Sequence, residues 1–462
     1  MNELFNISGI HRDRIQQLNE HPVNPEGQYV LYWMQASQRT EDNHALEYAI
    51  RQANYLGKPV VVYFGLFSNY PEANTRHYQF MLEGLQDVRR ELESRGIRFV
   101  IQPTDFACGI IRCAEKASLL VTDRGYTRFQ RNWRSLVAVG VSCACIQVET
   151  DVIVPVETVS DKREYAARTL RPKLQFWLDT FLKPIQKTSL EIAADSLQFE
   201  SMDISDIDNA LKQLNLDNSV PPVEGMTGGT AAANARLEEF LSSKLARYNQ
   251  DRNDPALCMT SGLSPYLHFG HISPVTIALR ANKYDGENVE SFLEELIIRR
   301  ELSMNFVYFD PNYDSLKCLP NWAQSTLKEH ADDPRDYIYS RDVWEQAQTH
   351  DKYWNAAQRE LVLTGEMQGY MRMYWGKKIL EWSATPEEAF QTALYLNNRY
   401  ALDGRDPNSY AGIAWCFGNH DQAWKERPVY GKVRYMNANG LRRKFDIDKY
   451  VERIDTLANN FR

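Results

Sequence analysis

The sequence contains no hydrophobic run that approaches the roughly 20 apolar residues of a membrane helix, so it predicts no contact with a membrane. It also contains no C-x-x-C pair. Its seven cysteines are scattered and odd in number, which disfavours a disulfide framework or a zinc site and predicts free thiols without a bound metal. The first 20 residues lack the apolar segment of a secretory signal. Together these absences predict a cytoplasmic protein.

Glycine is missing from residues 35–41, the predicted turn between the first strand and the first helix. The G-x-G-x-x-G fingerprint is therefore absent, which disfavours an ordinary NAD or FAD site in this half of the chain. Short β-branched, apolar runs nevertheless alternate with helical stretches. The predicted strands are 28–34, 59–67, 97–102, 118–123 and 141–149, and the clearest helices are 42–56 and 75–95. This alternation predicts a parallel, doubly wound, Rossmann-like sheet.

The composition changes along the chain in a way that predicts two domains and a connection. Residues 1–185 are predicted to form the α/β domain, and residues 186–229, rich in Asp, Asn, Ser and Pro, an interdomain linker. From 230 to 462 the strand signal fades and long helical patterns dominate. Seven of the ten tryptophans lie there: Trp322, Trp344, Trp354, Trp375, Trp382, Trp415 and Trp424. The predicted fold class is an α/β domain followed by an all-helical domain.

Residues 260–270 place hydroxyl groups and a glycine immediately before a predicted helix. Backbone amides at a helix start, together with Ser and Thr hydroxyls, form a site for phosphate. Capping of the helix by the same hydroxyls is the alternative, and it is the commoner use of Ser and Thr at such a position. The residues alone leave both interpretations open.

Three further segments carry a specific resemblance: WNAAQ at 354–358, GYMRMYW at 369–375 and LDGRDPN at 402–408. With 260–270, EYAA at 164–167 and RPK at 171–173, they resemble class II cyclobutane pyrimidine dimer (CPD) photolyases, within the photolyase and cryptochrome superfamily. The resemblance covers nearly the whole chain. Several long motifs in one order are more specific than any single motif.

By this resemblance, the α/β domain is an antenna domain and the helical domain binds FAD, which is reduced and anionic in the active enzyme. Arg372 and Asp403 correspond to an ion pair beside the flavin ring, and Asn397 to the side chain that faces flavin N5. A guanidinium there would stabilise the anionic ring; a plain salt bridge is the alternative. The implied cofactor-binding residues are Tyr248, Thr260, Ser261, Gly262, Leu263, Ser264, Arg372, Asn397, Asp403 and Asp406.

The resemblance also implies contacts with a damaged DNA substrate. Arg252 and Asn253 would fill the gap that opens in a duplex when the lesion leaves the stack, although the same residues suit an ordinary turn. Met373 and Trp415 would pack on the flipped dimer by stacking. Their alternative is simple core packing.

Glu295 corresponds to a residue that faces the substrate pocket, where desolvation would favour its protonated form. It could then donate a hydrogen bond to a pyrimidine carbonyl. The alternative is a solvated helix face with a Glu295–Arg299 pair. Some class II sequences carry Trp at the position of Arg299, so the resemblance does not settle which residues form this side of the pocket.

The stretch 425–444 contains seven basic residues and one acid in a chain of net charge −8. Such a patch predicts contacts with DNA phosphates, and a solvated basic loop is the alternative. The residues predicted to bind DNA here are Lys432, Arg434, Arg442, Arg443 and Lys444.

Trp375 and Trp382 are seven residues apart, so a helix would place them on nearly one face, with Arg372 on the same stripe. By the resemblance, Trp354 lies between the two tryptophans, and the three rings refill an oxidised flavin with electrons from solution. Hydrophobic core packing is the alternative.

The predicted activity is that of a deoxyribodipyrimidine photo-lyase, a carbon–carbon lyase: electron transfer from excited, reduced FAD splits a flipped-out dimer. The expected partner is DNA with pyrimidine dimers, duplex or single-stranded, and a monomer is expected. The resemblance leaves open a second, light-harvesting chromophore of deazaflavin or folate type. A cryptochrome-like photoreceptor is the alternative, disfavoured because the chain ends soon after the basic patch. A light-independent flavin or nucleotide-binding protein is a second alternative.

Overall fold

A computed structural model describes residues 9–104 and 107–460. These residues form two compact units that alternate along the chain. The first contains the residues up to Asp161 together with Pro172–Leu237 and Leu263–Tyr284. The second contains Lys162–Arg171, Glu238–Gly262 and the residues from Asp285 onward. They are called here the α/β unit and the helical unit. The domain limits at residues 185 and 229 stay a prediction.

The α/β unit is built on a single six-stranded sheet. Its strands are β1 Ile15–Gln17, β2 Tyr29–Trp33, β3 Val60–Leu66, β4 Arg98–Pro103, β5 Ala117–Asp123 and β6 Ala144–Val148. Their order is β1-β6-β5-β2-β3-β4, with β1 antiparallel to β6 and every other pair parallel. The predicted parallel, doubly wound sheet is confirmed. β1 was not predicted, because three residues are too few to show a periodic pattern.

The central strands are buried on both faces of the sheet. Val30 and Val60, which are paired across β2 and β3, lie in one hydrophobic core, and Leu31 and Val61, one residue on, lie in the other. None of these four side chains is exposed. Successive strand residues point to opposite faces. A strand buried on both faces therefore has a continuous apolar sequence, which is the pattern that predicted these strands.

The first long helix of the α/β unit begins and ends at recognisable capping residues. In His44–Leu56, the side chain of Asn43 accepts the N–H of Leu46 at 3.0 Å, and Gly57 ends the helix at φ 61°. The other helices in this unit are Thr75–Ser94, Cys108–Ala114, Arg128–Gly140, Val156–Val159, Ile207–Lys212, Ser264–His268 and Pro274–Ala281. Two more, Ala167–Phe181 and Thr230–Glu239, have residues in both units.

The segment 186–229, predicted as a linker, packs on the α/β unit. The N–H of Ala194 donates to the carbonyl of Gly96 at 2.9 Å, and that of Met202 to the carbonyl of Ile101 at 2.7 Å. Ile204 is fully buried in one of the two cores. The segment is therefore an ordered part of this unit, and its role as an interdomain connection stays a prediction.

The helical unit confirms the helical character predicted for the second half of the chain. Its helices are Tyr248–Asp251, Glu287–Leu293, Arg300–Phe309, Asn321–Glu329, Arg341–Glu345, Lys352–Thr364, Gly369–Trp382, Pro386–Tyr400, Pro407–Cys416, Ala438–Lys444 and Ile447–Asn460. Two π-helical turns, Phe240–Lys244 and Glu294–Arg299, interrupt the α-helical geometry. Across the described part of the chain, no helix is both long and apolar enough to span a bilayer.

Candidate functional site

Two helices, Lys352–Thr364 and Gly369–Trp382, carry many of the predicted site residues. Asp351 caps the first helix, because its Oδ1 accepts the N–H of Trp354 at 3.0 Å. Its Oδ2 accepts the hydroxyl of Tyr374, in the second helix, at 2.5 Å. Burial and the charge of Asp351 raise the pKa of Tyr374, so the hydroxyl stays a donor. One carboxylate thus fixes the two helices to each other.

Arg372 and Asp403 lie close together, as the resemblance implies. Arg372 Nη2 is 3.6 Å from Asp403 Oδ1, and the two side chains are only 18% and 12% exposed. At that distance they form an ion pair without a hydrogen bond. Asp403 Oδ1 is buried and has no hydrogen-bond partner. A buried carboxylate oxygen without a donor costs free energy, and a donor on a bound ligand would satisfy it.

The turn that carries Asp403 is held in an uncommon backbone conformation. Arg405 has φ 66°, in the left-handed region that non-glycine residues rarely adopt, and its N–H donates to Asn398 Oδ1 at 3.0 Å. Asn397 is 1% exposed and its Nδ2 donates to Ser409 Oγ at 2.7 Å. Ser409 Oγ in turn donates to the carbonyl of Asp403 at 3.0 Å. The structure therefore joins Asn397 to the turn that holds Asp403.

Asp406, predicted as a second carboxylate beside the flavin, is the N-cap of the helix Pro407–Cys416. Its Oδ1 accepts the N–H of Asn408 at 2.8 Å. The capping bond uses one oxygen of the carboxylate and fixes the orientation of the side chain.

The predicted phosphate loop is divided between the two units. Thr260, Ser261 and Gly262 belong to the helical unit, and Leu263 and Ser264 to the α/β unit. Gly262 has φ 64°, which favours glycine at this position. The N-cap of the following helix is Leu263, whose side chain offers no acceptor, and no side-chain capping bond is made. The hydroxyls of this loop therefore do not cap the helix Ser264–His268.

Arg252 and Glu295 form a direct ion pair. Arg252 Nη1 donates to Glu295 Oε1 at 2.6 Å, and the two side chains are 28% and 38% exposed. The guanidinium also lies 5.6 Å from the ring centroid of Tyr248, a buried residue whose pKa burial raises to about 12. Asn253 follows in the same turn and is partly buried. The sequence analysis predicted that Arg252 and Glu295 both contact the DNA substrate, but it did not predict an ion pair between them.

Glu295 lies in the π-helical turn Glu294–Arg299, where bonding to the fifth residue replaces bonding to the fourth. Glu294 and Arg299, five residues apart, are accordingly 3.5 Å from each other. Glu294 also accepts hydrogen bonds from Nη2 and Nε of Arg171, at 2.7 and 3.1 Å. The alternative of a Glu295–Arg299 pair on a regular helix face is wrong, because the π turn changes which residues are neighbours.

Trp415 and Met373 are both partly exposed, which distinguishes them from core residues. The guanidinium of Arg299 lies 5.7 Å from the ring centroid of Trp415, within the range of a cation–π contact. The structure thus places Arg299, whose role the sequence left open, against a residue predicted to stack on the lesion.

The predicted tryptophans form a chain of rings, but with a member that the sequence analysis missed. Trp354 and Trp375 are stacked at 6.3 Å with an interplanar angle of 6°. Trp344 lies 4.8 Å from Trp354 and is stacked on Trp382 at 6.2 Å. Trp344 is 1% exposed. It was missed because it lies in a short helix outside the matched motifs, and the only sequence signal was the residue type.

Lys377 is a second residue that sequence reasoning missed. It is fully buried in the helix Gly369–Trp382, and its Nζ donates to the carbonyl of Cys416 at 2.5 Å. The bond satisfies a carbonyl at the end of the helix that carries Trp415. Burial lowers the pKa of Lys377 to about 8. A charged residue within an apolar sequence was the available signal.

The predicted DNA-binding residues are largely exposed, but most have contacts within the chain. Arg442 Nε donates to the hydroxyl of Tyr353 at 2.8 Å, and Lys444 Nζ lies 4.2 Å from the ring centroid of Tyr370. Lys432 lies 3.8 Å from Glu426, and the guanidinium of Arg434 lies 5.2 Å from the ring centroid of Trp424. Arg443 is exposed in the last turn of Ala438–Lys444.

In the α/β unit, the strand-to-helix turn that lacks glycine binds a carboxylate of the chain itself. Asp123 is fully buried at the end of β5 and accepts the N–H groups of Gln35 and Ala36 at 2.9 and 2.8 Å. It also accepts the hydroxyl of Tyr32 at 2.8 Å. In dinucleotide-binding folds the amides of this turn hold a phosphate. Here an internal anion takes that place, which explains why glycine is not needed.

No metal site is indicated in the described part of the chain, where no three His, Cys, Asp or Glu side chains form a suitable group. The strongest convergence of predicted residues is in the helical unit, at Arg372, Asp403 and Asn397, with a donor-free carboxylate oxygen at its centre.

The fold matches that of solved photolyases. The bacterial class III photolyase from Agrobacterium tumefaciens aligns with a TM-score of 0.71 at 19% identity, over 93% of this chain and 86% of that one. An archaeal photolyase from Sulfolobus tokodaii, whose structure contains two FAD molecules, aligns with a TM-score of 0.69 at 18% identity, over 92% and 89%. At these identities, the likeness establishes the fold.

The sequence comparison goes further. The family model described as DNA photolyase matches residues 30–190. The deoxyribodipyrimidine photo-lyase of Methanothermobacter thermautotrophicus is 52% identical, over 97% of this chain and all of its own length. That of Arabidopsis thaliana is 41% identical, over 93% of this chain and 89% of its own. This chain therefore belongs to the DNA photolyase family, and the prediction of an enzyme of that family is confirmed.

Proposed function

We propose that this protein is a class II photolyase that uses light and bound FAD to split cyclobutane pyrimidine dimers in DNA. The observation that carries the proposal is the Arg372–Asp403 pair, with its donor-free carboxylate oxygen, on the two matched motifs. When bound in its reduced, anionic form and excited by light, FAD supplies one electron to the dimer and takes it back after the ring has opened.

The residues of the helical unit suit that cofactor. Arg372 offers a cation to stabilise the negative charge of a reduced flavin, and Asp403 holds the guanidinium in place. Asp403 Oδ1 can accept a hydrogen bond from a ring N–H. Asn397, buried and oriented by Ser409, offers a neutral amide. Thr260, Ser261 and Gly262 of this unit, the last with a positive φ, are proposed to hold the phosphates and sugar chain.

The substrate side of the proposal rests on partly exposed residues. Trp415 and Met373 have free surface for a base extruded from the duplex, and stacking there contributes about 1–3 kcal/mol per base. Glu295 keeps 38% of its side chain exposed, so its desolvation depends on the arrival of the substrate. Both duplex and single-stranded DNA are proposed substrates, since an extruded dimer requires only local strand opening.

A second, light-harvesting chromophore of deazaflavin or folate type is proposed for the α/β unit. Support comes from Gln35, at the carboxyl end of β2, where ligands bind in open α/β sheets. Both polar atoms of its side chain are buried without hydrogen-bond partners. Because Asp123 holds the neighbouring amides, such a ligand would bind without a phosphate in this turn.

The test is a repair assay with FAD-loaded protein and an oligonucleotide that contains one cyclobutane thymine dimer. Illumination with blue or near-ultraviolet light should restore intact thymines, and an identical sample in the dark should remain unrepaired. A second oligonucleotide with a (6–4) photoproduct tests the lesion class and should stay unrepaired. Reduced FAD that responds to light without repairing the dimer would overturn the proposal and favour the photoreceptor alternative.

A separate test addresses the basic segment. Arg443→Gln should weaken binding to lesion-containing DNA of any sequence and lower the salt slope of log K by about 0.9, the value for one phosphate contact. Lys183→Gln, which removes a cation from elsewhere in the chain, is the control. A salt slope equal to that of the unmodified protein would return Arg443 to the solvated-loop alternative.

A further inference from the structure

The ion pair between Arg252 and Glu295 has an incompletely bonded guanidinium. Nη1 of Arg252 donates to Glu295, whereas Nε is buried and has no hydrogen-bond partner. Burial acts against the charge of Arg252, and the hydrogen bond and charge of Glu295 outweigh it, so that the pKa of Arg252 is raised. The guanidinium is therefore held by one carboxylate and by its contact with the ring of Tyr248.

The backbone of Arg252 is fixed independently of its side chain. Gln368 Nε2 donates to the carbonyl of Arg252 at 2.6 Å. The same side chain caps the helix Gly369–Trp382, because its Oε1 accepts the N–H groups of Tyr370 and Met371 at 2.7 and 3.1 Å. Arg252 thus has an anchored main chain and a side chain that can change partner without moving the turn.

We infer that Glu295 is a specificity-determining residue, which competes with DNA for the guanidinium of Arg252. With undamaged duplex, no dinucleotide enters the pocket. Glu295 therefore stays paired with Arg252, and the DNA has one cationic contact fewer. A flipped dimer binds the carboxyl of Glu295 and leaves a gap in the duplex. Arg252 then separates from Glu295 and its side chain enters that gap. The pair penalises undamaged DNA and makes release of Arg252 conditional on the lesion.

This inference rests on the proposed function, in which the dimer reaches Glu295 and Arg252 fills the gap. Its distinguishing content is the coupling between the two residues, which a double-mutant cycle isolates. Glu295→Gln keeps the size of the side chain and its ability to donate a hydrogen bond, but removes the anion that holds Arg252. Glu290→Gln, one turn earlier on an exposed position, removes the same charge and is the matched control.

The experiment measures binding of FAD-loaded protein to duplexes with and without one cyclobutane dimer, in the dark, by fluorescence anisotropy. Glu295→Gln should tighten binding to undamaged duplex roughly threefold, the size expected of a partly exposed ion pair. It should also increase the salt slope by about 0.9, the value for one added phosphate contact. The ratio of damaged to undamaged affinity should fall accordingly. In an Arg252→Ala background, Glu295→Gln should have only the small effect of Glu290→Gln.

Equal effects of Glu295→Gln in the two backgrounds would overturn the inference while leaving the proposed function intact. Failure of the unmodified protein to prefer damaged duplex would instead overturn the proposed function. Glu295→Asp provides a second variant, since it keeps the charge but shortens the reach to Arg252. It should behave like Glu295→Gln if the contact matters, and like the unmodified protein if only charge matters. The latter result would overturn the inference.

Discussion

One buried ion pair of the α/β unit, Arg39 with Asp151, differs in its hydrogen bonding from one of the helical unit, Arg372 with Asp403. In the α/β unit, Arg39 is 1% exposed and donates to Asp151, Thr150 and Gly270 at 3.0–3.1 Å. In the helical unit, the Arg372–Asp403 pair is 3.6 Å apart, and one carboxylate oxygen has no donor. Arg39 Nε is also buried without a partner, but both Nη groups of Arg39 donate hydrogen bonds within the chain, whereas Arg372 and Asp403 share none. The two buried ion pairs therefore differ in how many hydrogen bonds hold the charged groups.

The largest expected effect tests the hydrogen-bonded pair of Arg39 and Asp151. Arg39→Met should lower the free energy of unfolding by about 3–5 kcal/mol, because it removes the guanidinium that lies 3.1 Å from the buried carboxylate of Asp151. Chemical denaturation of the FAD-loaded protein measures this loss. Arg372→Met is the counterpart in the helical unit and should cost far less stability. Comparable losses in the two variants would remove the distinction between the two pairs.

The next effect concerns Lys377, a buried cation whose desolvated charge lowers the stability of the folded protein. The folded pKa of Lys377, about 8, lies below its unfolded value of 10.5, so the unfolded chain binds more protons between these pH values. The stability contributed by Lys377 should therefore rise with pH across this window, by at most about 3 kcal/mol. Lys377→Met removes this titration. The difference in Tm between the two proteins should grow in favour of the unmodified protein from pH 7.5 to pH 9.5, and a constant difference would contradict the prediction.

Arg372→Met also tests the pair of Arg372 and Asp403 directly. If Arg372 lies beside the flavin as proposed, its loss should raise the pKa of the bound, reduced cofactor by about one unit, because the anionic form loses a cationic neighbour. A pH titration of the absorption spectrum under chemical reduction measures the shift. Arg39→Met, in the other unit, should leave that titration unchanged. If Arg372→Met retains FAD with an unaltered titration, Arg372 does not have this role.

The smallest expected effects are confined to the rate of one light reaction. Trp382→Phe and Trp344→Phe should each leave FAD content unchanged and slow photoreduction of oxidised FAD, because each interrupts the contacts from Trp354 outward. Repair by chemically pre-reduced protein should stay near normal. Trp322→Phe replaces a tryptophan of the same unit outside this chain of rings. Photoreduction as fast in Trp344→Phe as in Trp322→Phe would assign Trp344 to core packing.

The two units also differ in how far the sequence predicted them. The five parallel strands were predicted because burial on both faces, as at Val60–Leu66, produces an apolar run that is visible locally. The Arg252–Glu295 pair joins residues 43 positions apart and depends on a π turn, for which no periodic signal exists. Resemblance supplied the site residues and the Arg372–Asp403 pair, but it did not supply the contact between Arg252 and Glu295.

The π turn at Glu294–Arg299 makes the length of this segment as important as its composition. Relative to a regular helix, such a turn holds one extra residue, and each helical residue rotates the chain by about 100°. Deletion of one residue between Glu295 and Arg300 would let the segment continue as an ordinary helix, with every other side chain still present. Glu295 would then be turned about the helix axis relative to Arg300–Phe309, away from Arg252. The residue identities on both sides of the deletion would be unchanged. Only the direction in which Glu295 points about the helix axis would differ.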